Sequence, residues 1–169
     1  GAVPTPKDIT DAIVSNALRN VGFPCKVADI CCGSGNFLLS AYEQLVSKEL
    51  SRVIANNDST VELIDRPSGP DLPFWKKRQI LSEAIYGVDI NPLAVQVAQL
   101  SLSLRLLEGC SNEELETYRD MSGNRLLPDM SKNIRCGNSL VGYAYFQYDH
   151  SAVNDIDILR SVRPFDWSS

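Results

Sequence analysis

Apolar and polar positions along this chain alternate between a helical rhythm and short strand-length runs. Ile9, Ala12, Ile13, Ala17 and Val21 fall at helical spacing behind Thr5-Pro6-Lys7-Asp8. Thr at the cap, Pro at the first helical position and an acid in the first turn make a sound helix start, and Gly22 is expected to end it. Residues 25–30 form a strand-length segment that runs into Cys32-Gly33-Ser34-Gly35. Phe37, Leu38, Ala41, Tyr42, Leu45 and Val46 then resume the 3.6-residue period, predicting a helix into the forties. Between 56 and 73, Asn56-Asn57-Asp58-Ser59 and Pro67-Ser68-Gly69-Pro70 are turn formers, which predicts an excursion outside the core. Residues 74–84 read as a helix, 85–90 as a second strand, and Asn91-Pro92 as the start of a very apolar helix to about Leu107, closed by Gly109. Ser111 with Glu114 predicts a short capped helix, and 133–136 a third strand ending at Gly137-Asn138. One weak helical pattern follows around Ile156 and Leu159.

Helix, strand, glycine turn, helix, strand, helix, strand is the βαβαβ order of half a doubly wound parallel sheet, an α/β architecture. Right-handed crossovers place the three strands in the order 3-2-1. Ligands in such sheets bind at the carboxyl ends of the strands, which here carry residues 29–35, Asp89 and Asn138. Three polar strand ends make one candidate site.

Composition narrows the picture. At 169 residues and 44% apolar the chain suits one domain with a real core, and no apolar run approaches the roughly 18–20 residues that span a bilayer. No signal peptide or membrane segment is expected. The net charge of −5 disfavours holding nucleic acid by bulk electrostatics. Cys25, Cys31, Cys32, Cys110 and Cys136 form no C-x-x-C, and His150 is the only histidine, so no metal site is expected. The cysteine usage fits a reducing, cytoplasmic protein with buried thiols.

Gly33-x-Gly35 lets a backbone approach a ligand closely, although a tight strand-to-helix turn needs glycines for its shape alone. The dinucleotide fingerprint fits poorly, because Leu38 stands where its third glycine belongs. Its acid is expected about 20 residues on, whereas Asp89 lies 54 residues past Gly35. The 56–73 insertion can absorb that difference, so spacing alone does not exclude the dinucleotide reading. Asp89 is the sharper signal, since an acid ending an apolar strand needs solvent or a partner. Two ribose hydroxyls would each give it a charge-assisted hydrogen bond worth roughly 1.5–3 kcal/mol. The alternative is that Asp89 caps the helix starting at Pro92, for which Asn91 is better placed.

Four ordered blocks carry a resemblance. Asp29-Ile30-Cys31-Cys32-Gly33-Ser34-Gly35-Asn36-Phe37-Leu38 resembles the D-P-A-C-G-S-G-x-F-L signature of amino-directed, S-adenosylmethionine-dependent DNA methyltransferases. Residues 86–95 with 98–102, and Ile134-Arg135-Cys136-Gly137-Asn138-Ser139-Leu140, resemble their second and third motifs. Thr5-Pro6 resembles the T-P element that precedes the first strand in the N6-adenine class. The resemblance is to the N-terminal cofactor-binding portion of the modification domains of bacterial restriction–modification enzymes. It implies a partial Rossmann-like class I methyltransferase fold over 1–169, with a preceding helix at 3–22 and a partial linker toward the catalytic motif at 150–169.

It also implies a site for S-adenosyl-L-methionine. Gly33-Ser34-Gly35, flanked by Cys31, would pass under the methionine part, and Asp29 would order the loop or meet the amino group. Thr5 would bind the carboxylate, although helix capping alone also explains Thr5-Pro6. Asp89 would hold the ribose hydroxyls, Ile90 would flank the adenine, and Asn138 would read its edge with Leu140 or Phe37 packing nearby. Many members have Asp where Asn138 stands. Ile30 and Cys31 replace the Pro-Ala pair, and Cys32 needs no catalytic role.

In this family the reaction is carried by an N-P-P-aromatic motif, whose aromatic residue stacks on a base flipped from the duplex. No Asn here is followed by Pro-Pro, and Pro164-Phe165-Asp166-Trp167 resembles the stretch that shortly precedes that motif. The chain therefore reads as part of a longer enzyme and no catalytic residue is assigned. As a fragment it is expected to be inactive alone. Its parent is expected to methylate DNA adenine at N6, contacting DNA through parts outside this chain. A methyltransferase acting on RNA, protein or a small molecule, or a non-catalytic cofactor-binding module, is the alternative. Lys76-Lys77-Arg78 beside Phe74-Trp75 reads as a solvated helix face, and His150 as a surface residue. Half a sheet leaves an open strand edge, which predicts self-association or low stability.

Overall fold

The computed structural model describes residues 5–123, 125–142 and 156–167. His150 and the rest of 143–155 lie outside the described residues. In chain order the elements are α1 (Lys7–Leu18), β1 (Val27–Asp29), α2 (Asn36–Ala55), β2 (Ile64–Arg66), β3 (Gly69–Asp71), α3 (Phe74–Ala84), β4 (Ile85–Asp89), α4 (Pro92–Leu107), α5 (Asn112–Ser122), a 3-10 turn (Met130–Lys132), β5 (Ile134–Cys136) and α6 (Ile156–Val162). β1, β4 and β5 form a parallel sheet in that order, which is the 3-2-1 arrangement expected from the sequence. The structure is thus α/β and Rossmann-like, in part.

The core lies between this sheet and its helices. Leu38, Ala41 and Leu45 of α2, Ile85 of β4 and Ala98, Leu102 and Leu106 of α4 are fully buried. These positions follow the helical period, so each helix presents one apolar stripe to the sheet. α4 is also apolar on its outer face, where Leu93, Val97, Leu100 and Leu104 are exposed. Its start is chemically defined: Asn91 Oδ1 accepts from Leu93 N–H at 3.0 Å, with Pro92 behind it. Gly87 in β4 sits where any side chain would collide, since a Cβ there would lie 2.7 Å from Leu38 Cδ1 and 3.1 Å from Cys32 Sγ.

Three sequence expectations are corrected by packing. α1 ends at Leu18, four residues before Gly22, and its N-cap is Pro6, whose carbonyl accepts from Thr10 N–H at 3.0 Å and from its hydroxyl at 3.1 Å. The 56–73 stretch is not an excursion: β2 and β3 pair as an antiparallel hairpin, and Val61 and fully buried Leu72 belong to the core. Turn residues marked the bends correctly but masked two short strands between them. Of the five thiols, all free, only Cys32 is buried, while Cys31 and Cys136 are exposed.

Lys76-Lys77-Arg78 is likewise not a solvated face. Lys77 is only 8% exposed and pairs with Asp71, which also accepts from Arg66 Nε at 2.6 Å. Arg66 reaches Glu114 at 2.8 Å, and Glu114 in turn accepts from Phe74 N–H at 2.8 Å. The Glu114 side chain therefore ties the hairpin and α3 to α5. Ser111 Oγ alone caps α5, accepting from Glu114 N–H at 3.1 Å. Lys76 reaches Glu49 at 3.0 Å, a carboxylate only 1% exposed that Arg52 also engages at 2.6 Å. Arg78 Nε donates to Leu126 O at 3.0 Å. Charges this deep persist only when paired and hydrogen-bonded.

Candidate ligand site at the strand carboxyl ends

Parallel pairing puts the three strand ends on one edge of the sheet, with Asp29 beside Gly87 and Asp89 beside Cys136 in register. The loop after β1 is shaped by two glycines. Gly33 (φ 53°) and Gly35 (φ 91°) are both left-handed, a region costly for side chains with a Cβ. Cys32 N–H donates to Val88 O at 3.0 Å and Gly35 N–H to Cys32 O at 2.9 Å, so the ladder passes directly into a tight turn. A Cβ on Gly35 would lie 3.0 Å from Ala98 Cβ, whereas one on Gly33 would meet nothing within 4 Å. Gly35 is thus needed for packing against α4, and Gly33 faces open space. Gly35→Ala is expected to destabilise the chain by about 2 kcal/mol, from the left-handed backbone plus the contact. Gly33→Ala should cost about half of that. Denaturant midpoints test the order, which equal losses would refute.

Asp89 closes the loop. Its Oδ2 accepts from Gly33 N–H at 2.8 Å and its Oδ1 from Asn91 N–H at 2.8 Å. Neither oxygen is saturated, because an ionised carboxylate offers about four acceptor sites. Asp29 Oδ1 accepts from Cys31 N–H at 3.1 Å and so fixes the start of the same loop. Burial first, and then the negative charges of Asp29 and Asp89, push the Cys32 thiol up to about 12. It stays protonated and inert at neutral pH, a packing residue under the loop.

The remaining residues singled out by sequence divide into two groups. Ile90 and Leu140 are exposed, and Asn138 lies in the loop after β5, its Oδ1 accepting from Leu140 N–H at 3.1 Å. These three join Gly33 and Asp89 at one edge. Thr5 lies near the end of the glycine loop, its carbonyl accepting from Asn36 Nδ2, at the start of α2, at 3.5 Å. Because Pro6 is the cap, the Thr5 hydroxyl has no capping bond among the described residues. Ser34 is exposed on the loop, as is Cys31. Phe37 does not join the Asn138 side. It is half-buried in an apolar groove of about 340 Å³ with Ile13, Val27 and Ile30, along β1. Among the described residues there is no cluster of three or more His, Cys, Asp or Glu that could hold a metal ion. Nor is any described helix long and apolar enough to cross a membrane.

Sequence patterning gave no hint of Arg163, which reaches the same edge. Its Nη1 donates to Ile90 O at 2.7 Å, and its own carbonyl accepts from Asn138 N–H at 2.6 Å.

Residues 12–145 match the family model described as the DNA-methyltransferase domain of MmeI. The chain belongs to that DNA-methyltransferase family. The domain is similar to the type II restriction enzyme and methyltransferase RM.Eco57I of Escherichia coli, 33% identical over 79% of this chain and 13% of that protein. It is 34% identical to a putative type II restriction enzyme and methyltransferase of Methanocaldococcus jannaschii, over 70% of this chain and 9% of the relative. The adenine-specific methyltransferase PglX of Streptomyces coelicolor is 25% identical over 95% of this chain and 12% of its own length. This methyltransferase domain thus spans about an eighth or less of these relatives. The match covers the glycine loop, Asp89 and Asn138 alike.

Proposed function

We propose that this chain is the S-adenosyl-L-methionine-binding part of a cytoplasmic DNA adenine N6-methyltransferase of a restriction–modification system. The observation that carries the reading is the Asp89 carboxylate, held by Gly33 N–H and Asn91 N–H with acceptor capacity left over, at the edge where Gly33 faces open space. A vicinal diol needs such an acceptor pair, and a close-approaching backbone suits the chain that hangs from the ribose. The residues fit an adenosine with an amino-acid tail. Exposed Ile90 and Leu140 offer apolar faces to a purine, and the Asn138 amide nitrogen has no partner among the described residues. Asp29 holds the loop end near the tail's ammonium, and the Thr5 hydroxyl is available to its carboxylate.

When bound, the sulfonium cofactor supplies an electrophilic methyl group. The residues of this chain bind and orient it. None is assigned to proton transfer or to the target amine. DNA contact and the reaction centre belong to parts of the protein outside this chain, and adenine is the target favoured by the adenine-specific relative. Self-association through the open edge of β1 fits the same picture: β1 pairs only with β4 among the described strands, beside exposed Ile9 and Ile13.

Calorimetry with S-adenosylhomocysteine tests the cofactor assignment, and weak but measurable binding by the folded chain is expected. Transfer of tritiated methyl to duplex DNA by the longer protein tests the target. Label in cytosine, RNA or protein instead of adenine would overturn that part.

A further inference from the structure

The stretch from Arg163 to Trp167 lies outside the four motif blocks, yet it grips the loop that holds Asn138 by several separate contacts. Asn138 N–H donates to Arg163 O at 2.6 Å, and Phe165 N–H donates to Val141 O at 2.9 Å, so the segment holds the loop at both ends. Pro164 forms a parallel bridge with Asn138. Trp167 Nε1 donates to Ser139 O at 3.2 Å. Phe165 is 5% exposed, lies edge-on to Trp167 with centroids 4.7 Å apart, and has the Arg135 guanidinium 4.7 Å from its ring. It fills the space a side chain at Gly137 would need, since a Cβ there would come within 2.7 Å of Phe165 Cδ2. Gly137 is thus glycine to admit this ring.

Arg163 links this grip to the second strand end. Its backbone holds Asn138 while its Nη1 holds Ile90 O at 2.7 Å, and its φ of 49° is one of two positive values among described non-glycine residues. A non-glycine residue in that region persists only where its surroundings fix it. Here Arg163 ends α6 in a left-handed turn, its N–H donating to Leu159 O at 2.9 Å, and its bonds to the two loops hold it in that place. Ile90 and Asn138 follow different strands. Gly137 N–H to Asp89 O at 2.9 Å and Cys136 Sγ to Ile90 O at 3.6 Å join the two strand ends, and Arg163 adds a tie that reaches Ile90 and Asn138 at once.

We infer that Arg163 is a positioning residue for the adenine of the cofactor, and that residues 163–167 are a clasp setting the gap between Ile90 and Asn138 into which the purine fits. The inference rests on the cofactor reading above. Arg163 does not touch the purine. It sets the spacing at which Ile90 stacks and the Asn138 amide donates to the ring-nitrogen acceptor of adenine. Hypoxanthine carries a donor at that ring position, so a correctly spaced Asn138 rejects it.

Titration of the full chain with S-adenosylhomocysteine and S-inosylhomocysteine tests this. The wild type is expected to prefer the adenine compound. Arg163→Ala, which removes the bond to Ile90 O and keeps the backbone bond to Asn138, should weaken S-adenosylhomocysteine binding about 5- to 10-fold. It should also shrink the adenine-over-hypoxanthine ratio, with Arg163→Lys in between. Trp167→Phe, at an exposed position that leaves the fold intact, should give a smaller shift in the same ratio. Weakening of both ligands by one common factor would mean a merely structural role and overturn the inference, as would unchanged binding by Arg163→Ala. Should Asp89→Ala weaken binding while Arg163→Ala and Trp167→Phe leave the ratio untouched, the clasp fails and the cofactor site stands. A folded wild type that binds neither compound removes both.

Discussion

Asp89→Ala is expected to reduce S-adenosylhomocysteine affinity at least about 100-fold, the largest functional effect of any single change in this chain. The ribose hydroxyls would lose two charge-assisted bonds of roughly 1.5–3 kcal/mol each. Gly33 N–H and Asn91 N–H would lose their acceptor at the same moment, so the glycine loop loosens as well. These contributions separate experimentally. The 2′-deoxyribose analogue should bind the wild type weakly, yet bind Asp89→Ala about as well as the parent ligand does. If removing the 2′-hydroxyl costs the variant as much as it costs the wild type, Asp89 does not hold the ribose and serves the loop alone.

Asp71→Ala should give the largest loss of stability, about 3 kcal/mol. For a chain of this size that lowers the melting temperature by roughly 6–12 °C. Asp71 receives Arg66 Nε at 2.6 Å, Lys77 Nζ and Leu72 N–H at 2.9 Å, and its removal strands Lys77, which is only 8% exposed. Arg66 suffers less because Glu114 and the Gly109 carbonyl still hold it. The cost arises from the orphaned ammonium, so adding Lys77→Met should restore most of it. A double variant as unstable as Asp71→Ala alone would place the loss elsewhere in the hairpin.

Burial alone would raise the Asp71 carboxyl, but the hydrogen bonds of Lys77 and Arg66 outweigh it and hold the group below its ordinary value. Arg52 does the same for Glu49 against burial, with Lys76 adding to it. A carboxyl with a depressed native pKa binds protons more readily in the unfolded chain. Its contribution is complete above its ordinary pKa and is lost as pH falls through the native value. Wild-type melting temperature should therefore be level near neutrality and fall below about pH 4. Asp71→Ala should show a shallower decline.

The corrections share a physical origin. Turn formers at 56–59 and 67–70 fixed where the chain bends, but a three-residue strand has too few positions to show alternation. Lys76, Lys77 and Arg78 read as solvent-facing because charge is normally exposed. The partners of Lys76, Lys77 and Arg78 are Glu49 on α2, Asp71 on the hairpin and the Leu126 carbonyl, and pairing across elements leaves no trace in local pattern. Arg163 was invisible for the same reason, since Ile90 lies 73 residues away in sequence.

By itself the sequence determined the parallel order of β1, β4 and β5, the glycine turn, the Asn91-Pro92 start of α4 and the clustering of Asp29, Asp89 and Asn138. Each follows from local stereochemistry or from short-range periodicity, which a chain carries wherever it folds. Tertiary structure alone decided that Gly35 is required by Ala98 and Gly137 by Phe165, and that Thr5 is not the cap of α1. It likewise decided that Phe37 turns toward β1 and not toward Asn138. Those outcomes depend on which surfaces meet, and close packing admits one neighbour at each point and excludes the rest.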